Sequence, residues 1–420
     1  MKKAVLFGLC AALLLSSACG SRLPLNADDS ALTQLTAPDY PDGAEEQAAD
    51  YEKLRSALTG FSARSASALL GGGRENGAYS PVSLYLALAL SASGASGETL
   101  SELYAALGLA NSSKGEVAGW VNALYRDLYG EEEYGHLYLY NSLWLSEKAS
   151  FKPGFLRGAG EDYFAEIFTL DPEASLAGDP ISAWVAEKTG GKLTREPVKG
   201  DFVMSLVSVI DFYGEWTSQF SRKSNTVGDF TLSDGAKVQA EYMNGETSGT
   251  FYRGEGWTMA FRSLKNGAQM AFVLPDSGVD INDLLADENA LSAMLAPGDA
   301  AGVKALYGEI VWSVPKFDFQ SQWSLADMLK SLGIRSAFGM DADFSETSDK
   351  EPLFLSDARQ ASRVTVDENG VSASAYTELF YTGAAQPQDR AEMVLNRPFA
   401  FVISYHAVSL FVGVVNNPSL

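Results

Sequence analysis

The sequence predicts an α+β domain in which helices come early, strands dominate late, and both surround one large core. Three observations carry this. Of 420 residues, 46% are hydrophobic and 11% aromatic, far more apolar material than a disordered chain holds. Helical apolar spacing appears first around Pro81–Leu90, whereas short Val- and Phe-rich runs fill the C-terminal part. The two patterns do not alternate regularly, as βαβ units would require.

From the N-terminus, Lys2 and Lys3 precede an apolar run from Ala4 to Leu15, then Ser16, Ser17, Ala18 and Cys19. A charged start, an apolar stretch short for a bilayer, and small residues form the pattern of a secretory leader. The small residues before Cys19 resemble a bacterial lipobox. Residues 1–19 are therefore expected to be a lipoprotein-type signal peptide with Cys19 as the lipidated residue. Ser16 stands where a lipobox usually carries Leu, which leaves ordinary cleavage nearby as the alternative. Cys10 lies in the leader and Cys19 is the only other cysteine, so the mature protein has no disulfide.

Residues 20–45 are polar and rich in Ala, Asp and Pro, a composition suited to a flexible tether. One domain is expected over residues 46–420. Ser80 reads as an N-cap and Pro81 as the first residue of an apolar helix through Leu90. Leu325, Met328, Leu329 and Leu332 recur at helical spacing, with Gly333 as a stop. Met270–Leu274, Phe399–Tyr405 and Leu410–Val415 read as buried strands.

The 31 basic against 53 acidic residues give a formal charge of −22, which repels nucleic acid. Catalytic patterns are missing. The chain has two histidines, His136 and His406; the first is expected to be solvated and the second to sit in an exposed turn. There is no G-x-S-x-G elbow, H-E-x-x-H motif or Walker loop. Gly71-Gly72-Gly73 lacks a strand–turn–helix context for phosphate, and Asp341, Asp343 and Glu346 lack calcium-loop spacing. No enzyme activity, cofactor or metal is expected.

Whole segments resemble the serpin family. Asn76-Gly77-Ala78-Tyr79-Ser80-Pro81-Val82-Ser83 looks like its N-I-x-x-S-P-x-S segment, followed by Gly94-Ala95 and Thr99. Asn141-Ser142-Leu143-Trp144, Trp184-Val185 with Thr189, Gly191 and Lys192, and Phe212-Tyr213-Gly214-Glu215-Trp216 follow in family order. So do Val314-Pro315-Lys316-Phe317, Asn396-Arg397-Pro398-Phe399 and the run from Phe411 to Pro418. The resemblance covers roughly residues 50–420. It implies a serpin fold: a large central β-sheet with further sheets, surrounding helices and an exposed reactive-centre loop. It also implies a buried polar cluster beneath the sheet, here Ser80, Ser83, Ser208 and Gln360, with the last two replacing the usual Asn and His. Trp216 matches a tryptophan where the loop enters the sheet, and Asp211 stands where the family usually has an aromatic residue.

The implied activity is inhibition of a serine protease as a suicide substrate, by loop cleavage, acyl-enzyme trapping and loop insertion. A strand entering a sheet buries every second residue. Counted from Gly370 and Val371, the inward set continues Ala373, Ala375, Thr377, Leu379 and Tyr381, none of them charged. Glu378 falls in the outward set, and no proline occurs before Pro387. The family's usual hinge length puts the reactive bond at Ala384-Ala385; counting back from Pro398 puts it near Pro387, and Phe380 or Tyr381 is a further alternative. Gly383-Ala384 suits a shallow pocket, hence elastase-like or subtilisin-like targets. The expected protein is a monomer outside the cell, either secreted or a cell-surface lipoprotein. Its partners would be a serine protease in a covalent acyl complex and, through the anchor, a membrane. The rival readings are a non-inhibitory serpin acting as a binding or chaperone module, and a hydrolase needing either histidine beside a serine.

Overall fold

The computed structural model describes residues 32–41, 52–146, 150–171, 179–193, 204–349, 353–371 and 389–420. The N-terminal part carries β1 (Leu32–Thr36), α1 (Glu52–Leu70), β2 (Gly77–Tyr79), α2 (Pro81–Ser93), α3 (Gly97–Ala106) and α4 (Lys114–Leu128). Then come β3 (Gly130–Glu132), β4 (Gly135–Ser146), α5 (Pro153–Glu161), β5 (Ala165–Leu170), α6 (Pro180–Lys188) and β6 (Met204–Glu215). Strands dominate from there: β7 (Thr226–Thr231), β8 (Lys237–Gly254), β9 (Trp257–Ser263), β10 (Lys265–Asn266) and β11 (Gln269–Pro275). After α7 (Ile281–Ala286) and α8 (Glu288–Leu295) lie β12 (Lys304–Pro315), β13 (Phe317–Ser324) and α9 (Ala326–Ser331). The chain closes with β14 (Leu355–Val366), β15 (Gly370–Val371), β16 (Asp389–Val394), β17 (Phe399–Tyr405) and β18 (Val408–Val415). Helices early and strands late is the order that the apolar patterning predicts.

Two mixed sheets result. The central one runs β1-β5-β4-β6-β15-β14-β13, with β3 on β4; the second runs β16-β12-β8-β9-β11-β17-β18-β2, with β7 on β8. Helix α2 starts as expected: Ser80 has extended backbone, its side chain accepts from Ser83 N–H, and Pro81 is next. Its residues Pro81 to Ala92 are all buried, so it is apolar on every side and fills the space between the sheets.

The central sheet buries both faces, and strand periodicity separates them. Leu143, Leu145, Leu206 and Ile210 join the main core with α2. The residues between them, Trp144, Val207 and Val209, join Trp184 and Val185 of α6 in a second apolar cluster. Helix α6 therefore lies over the outer face of the sheet.

The tether expected over residues 20–45 needs one correction. Leu32–Thr36 form an edge strand antiparallel to β5, with Leu32 opposite Leu170 and Gln34 opposite Phe168. Gln34 Nε2 and Tyr40 Oη both donate to the buried Glu166 carboxylate, at 3.2 and 3.0 Å. A polar composition hides such a strand because an edge strand takes its backbone partners from the neighbour and leaves its own side chains half exposed.

Candidate functional site

The central sheet is split. Strands β6 and β14 pair in parallel only at one end, from Leu355↔Met204 to Gln360↔Ser208. At the other end β15 fits between them, pairing Val371 with Gly214 of β6 and with Val366 of β14. Between these two contacts the facing edges of residues 209–213 and 361–365 carry no ladder pairing among the described residues. Unpaired edges inside a sheet are costly, and they are a template for another strand.

At the mouth of the split the turn Asp367-Glu368-Asn369-Gly370 is held by its own side chain. Asp367 Oδ1 accepts from the N–H groups of Asn369 at 2.7 Å and Gly370 at 3.2 Å. Trp216 anchors the same turn: its Nε1 donates to the Asp367 carbonyl at 2.9 Å, and its backbone N–H donates to the Asn369 carbonyl at 2.9 Å. Phe220 N–H donates to the Glu368 carbonyl at 3.2 Å. The buried Glu368 carboxylate accepts from Lys316 Nζ at 2.7 Å and Asn225 Nδ2 at 2.6 Å. Burial alone would raise this carboxyl. Lys316, a backbone N–H and Asn225 outweigh it and hold the group at about 2. Gly370 has no room for a side chain, because a Cβ there would lie 1.7 Å from the Gly214 carbonyl oxygen. Val371, the first residue expected to face inward, is 0% exposed and lies inside the sheet.

The base of the split is fastened by neutral groups. Gln360 of β14 uses both ends of its amide on one residue: Ser80 N–H donates to Oε1 at 2.8 Å, and Nε2 donates to the Ser80 carbonyl at 2.9 Å. Ser83 and Ser208 hydroxyls meet at 2.6 Å, and Ser208 Oγ donates to Asn141 Oδ1 at 2.8 Å. The four residues expected beneath the sheet thus come together. Asn141 is the member that the sequence reading missed: it sits on β4 directly opposite Ser208. Its place in Asn141-Ser142-Leu143-Trp144 marks a family segment without showing which strand it faces.

Of the two histidines, only His136 departs from expectation. His136 is only partly exposed, and its Nε2 pairs with Asp211 Oδ2 at 3.2 Å. His406 does occupy the turn between β17 and β18, at φ 47°, and its Nδ1 pairs with Asp127 Oδ2 at 3.1 Å. Among the described residues no group of His, Cys, Asp and Glu is arranged to hold a metal. Nor is any helix among these residues long and apolar enough to cross a membrane. The remaining sequence candidates lie outside the described residues: Ala373, Ala375 and Thr377 of the hinge, Ala384 and Ala385 of the reactive bond, and Cys19.

This architecture has known counterparts. A family model described as "Serpin (serine protease inhibitor)" matches residues 56–418. Alpha-1-antiproteinase F of Cavia porcellus is 28% identical over 351 residues, which span 81% of this chain and 85% of that protein. Neuroserpin of Mus musculus is 28% identical over 367 residues, 82% of this chain and 86% of that protein. Among solved structures, the thermophilic serpin tengpin in its native state superposes with a TM-score of 0.80 at 27% identity, covering 92% of this chain and all of tengpin. Thyroxine-binding globulin in complex with thyroxine shares the fold at TM-score 0.74 and 24% identity, over 87% of this chain and 99% of that one. With the split sheet, Gly370 and Val371 paired at its mouth and a family match over most of its length, the chain belongs to the serpin family.

Proposed function

We propose that this serpin inhibits a serine protease as a suicide substrate. The observation that carries the reading is the split central sheet with Gly370 and Val371 already paired inside its mouth. The protease serine attacks the Ala384 carbonyl carbon, the Ala384–Ala385 bond breaks, and the Ala385 amine leaves with the serine proton. An ester then joins Ala384 to the protease. If the loop enters the sheet before water cleaves that ester, the protease is carried away from its working geometry and stays trapped.

The registers at β15 support this order of events. Continued from Val371↔Gly214 and Val366↔Val371, a longer strand would carry Ala373, Ala375 and Thr377 on the inner face and Glu378 on the outer one. Position 381 would reach Met204, the first residue of β6, so residue 384 would emerge just past the base. The attached protease would travel about 40 Å at the usual strand rise. Residues around Gly383 and Ala384 are small, which fits elastase-like or subtilisin-like pockets. The leader supports export, with Cys19 holding the inhibitor at an outer surface through its lipid.

The test is incubation with pancreatic elastase and with subtilisin, followed by denaturing electrophoresis and a thermal melt. A band at the summed mass is expected, together with a sharply higher melting temperature for the loop-cleaved protein. A clipped product with no summed band would favour the binding-module reading. Sequencing the released C-terminal fragment fixes the bond: a new N-terminus at Ala385 is expected, and one at Thr382 would move the reactive bond upstream.

A further inference from the structure

The two lips of the split are joined on the outer face by a row of charges that nothing in the inhibitory reading assigns. Asp211 is the lone charge in the apolar run Met204–Phe212 of β6, and its side chain is 13% exposed. A carboxylate in such a place is costly unless paired. Here Lys192, in the turn after α6, donates to both of its oxygens at 2.9 and 3.0 Å, and His136 of β4 pairs with Oδ2. Burial would raise the Asp211 carboxyl, but His136 and Lys192 outweigh it and hold it below its ordinary value, so the group is charged.

On the opposite lip Arg363 of β14 grips Asp318 of β13 with two bonds, Nε to Oδ1 at 2.8 Å and Nη2 to Oδ2 at 2.7 Å. Its Nη1 reaches across to the Lys192 carbonyl at 3.5 Å. Lys192 therefore holds one lip with its ammonium group and touches the other with its carbonyl. Beneath it lies a cavity of about 300 Å³ lined by Ile210, Asp211, Arg363, Thr365 and Phe411.

The geometry points to Lys192 and Asp211 as a charged latch that sets the rate at which a strand enters the split. This rests on the inhibitory reading, in which such a strand exists. The registers at β15 place residues 211 and 363 in one row, three positions beyond Val371 and Val366 from the mouth. A strand advancing from Val371 meets the latch at its third new residue, before most of its length is paired. Admitting a strand moves the lips apart by about 4.8 Å. Lys192 cannot keep both contacts across that widening, so the latch opens at an early step of entry. In the filled sheet the latch no longer bridges the lips, so its loss affects the split form and spares the filled one.

The test uses the purified full chain and a synthetic peptide of sequence Val371 to Thr382, with uptake monitored by native electrophoresis. Lys192→Met and Asp211→Asn are each expected to speed uptake about two- to fivefold, the worth of one partly exposed ion pair. The double variant should be no faster than the faster single one, and Lys192→Arg should keep the original rate. The melting temperature of the loop-cleaved form should not change in the Lys192 variants, whereas Asp211→Asn also loses its pairing with His136 of the neighbouring β4 and is expected to lower it in both forms. Lys192 lies at the surface, so its variants keep the test available if Asp211→Asn folds poorly. Unchanged uptake in both single variants overturns the latch, and so does equal loss of stability in the intact and cleaved forms of Lys192→Met. If neither the original chain nor any variant takes up peptide or gains stability on cleavage, the inhibitory reading fails and the latch with it.

Discussion

The two ends of the split are closed by different chemistry. At the base, Ser80, Ser83, Ser208, Asn141 and Gln360 are buried neutral groups bonded to one another and to backbone. At the mouth, ion pairs join the backbone bonds: Glu368 with Lys316 at the turn, Asp211 with Lys192 on the β6 lip, and Arg363 with Asp318 on the β14 lip. A buried neutral network holds at any pH and salt concentration until a member is left unpaired, and then it fails abruptly. Ion pairs with one partner reaching the surface weaken gradually with salt and with protonation. The base thus decides whether the sheet stays together at all, and the mouth decides how readily it opens.

Substitutions can break this contrast or sharpen it. The largest effect is expected from Val371→Arg. Val371 is fully buried between the lips, and a guanidinium there costs several kcal/mol. The covalent complex should disappear and the variant should be cut as a simple substrate, as electrophoresis with elastase would show. Full complex formation would mean that the hinge does not enter through Val371.

Gln360→Ala comes next. It strips both partners from the Ser80 backbone, at about 1–3 kcal/mol for each buried group left unpaired. The loss should appear in denaturant unfolding and be the same at acidic and neutral pH, and at low and high salt. A strong dependence on either condition would erase the distinction between base and mouth.

Glu368 supplies the opposite case. Its folded value of about 2 lies below the ordinary carboxylate range, so its stabilisation is present above that range and is lost as pH falls towards 2. Stability should therefore drop between about pH 4.5 and pH 2.5 by more in the original chain than in Glu368→Gln. At neutral pH the variant should lose about 1.5–3 kcal/mol, the range for hydrogen bonds to a charged group. Parallel pH profiles for the two proteins would show that Glu368 does not fasten the mouth as an ion.

The smallest effect belongs to Asn141→Ala. Ser208 Oγ keeps the Ser83 carbonyl as an acceptor at 3.0 Å, so the loss should stay near 1 kcal/mol in the same unfolding measurement.

The contrast also marks what the sequence discloses. Strands β11, β17 and β18 are legible because they are buried on both faces and read as continuous apolar runs. Helix α2 announces itself through Ser80 and Pro81, and the serpin resemblance groups Ser80, Ser83, Ser208 and Gln360 beneath the sheet and sets Trp216 apart at the loop entry. Asn141 escapes because its bond to Ser208 spans 67 residues and depends on the register between β4 and β6. Asp211 looks like an anomaly in the sequence for the same reason. Its partners come from β4 and from the turn after α6, and only the fold shows that they converge. Leu32–Thr36 read as tether because composition reports how much a segment buries, whereas an edge strand is defined by whose backbone it meets.

In the inhibitory reading, Gly370 and Val371 would give the entry of the loop a direction and a starting point. Zipping one strand between two others has a slow nucleation step, because the first pairs fix backbone freedom before later pairs add anything. Here those first pairs form on both sides as the chain folds, and Gly370, with no room for a Cβ, brings the backbone close enough to make them. In the proposed mechanism, cutting the loop leaves propagation from one end and in one register, past the Lys192–Asp211 latch. In that mechanism the delay between acylation and capture combines the opening of the latch with the number of residues still to be zipped. Lengthening the loop beyond residue 381 should leave that delay almost unchanged, while inserting two residues between Val371 and Thr377 should lengthen it and keep the inward face in phase.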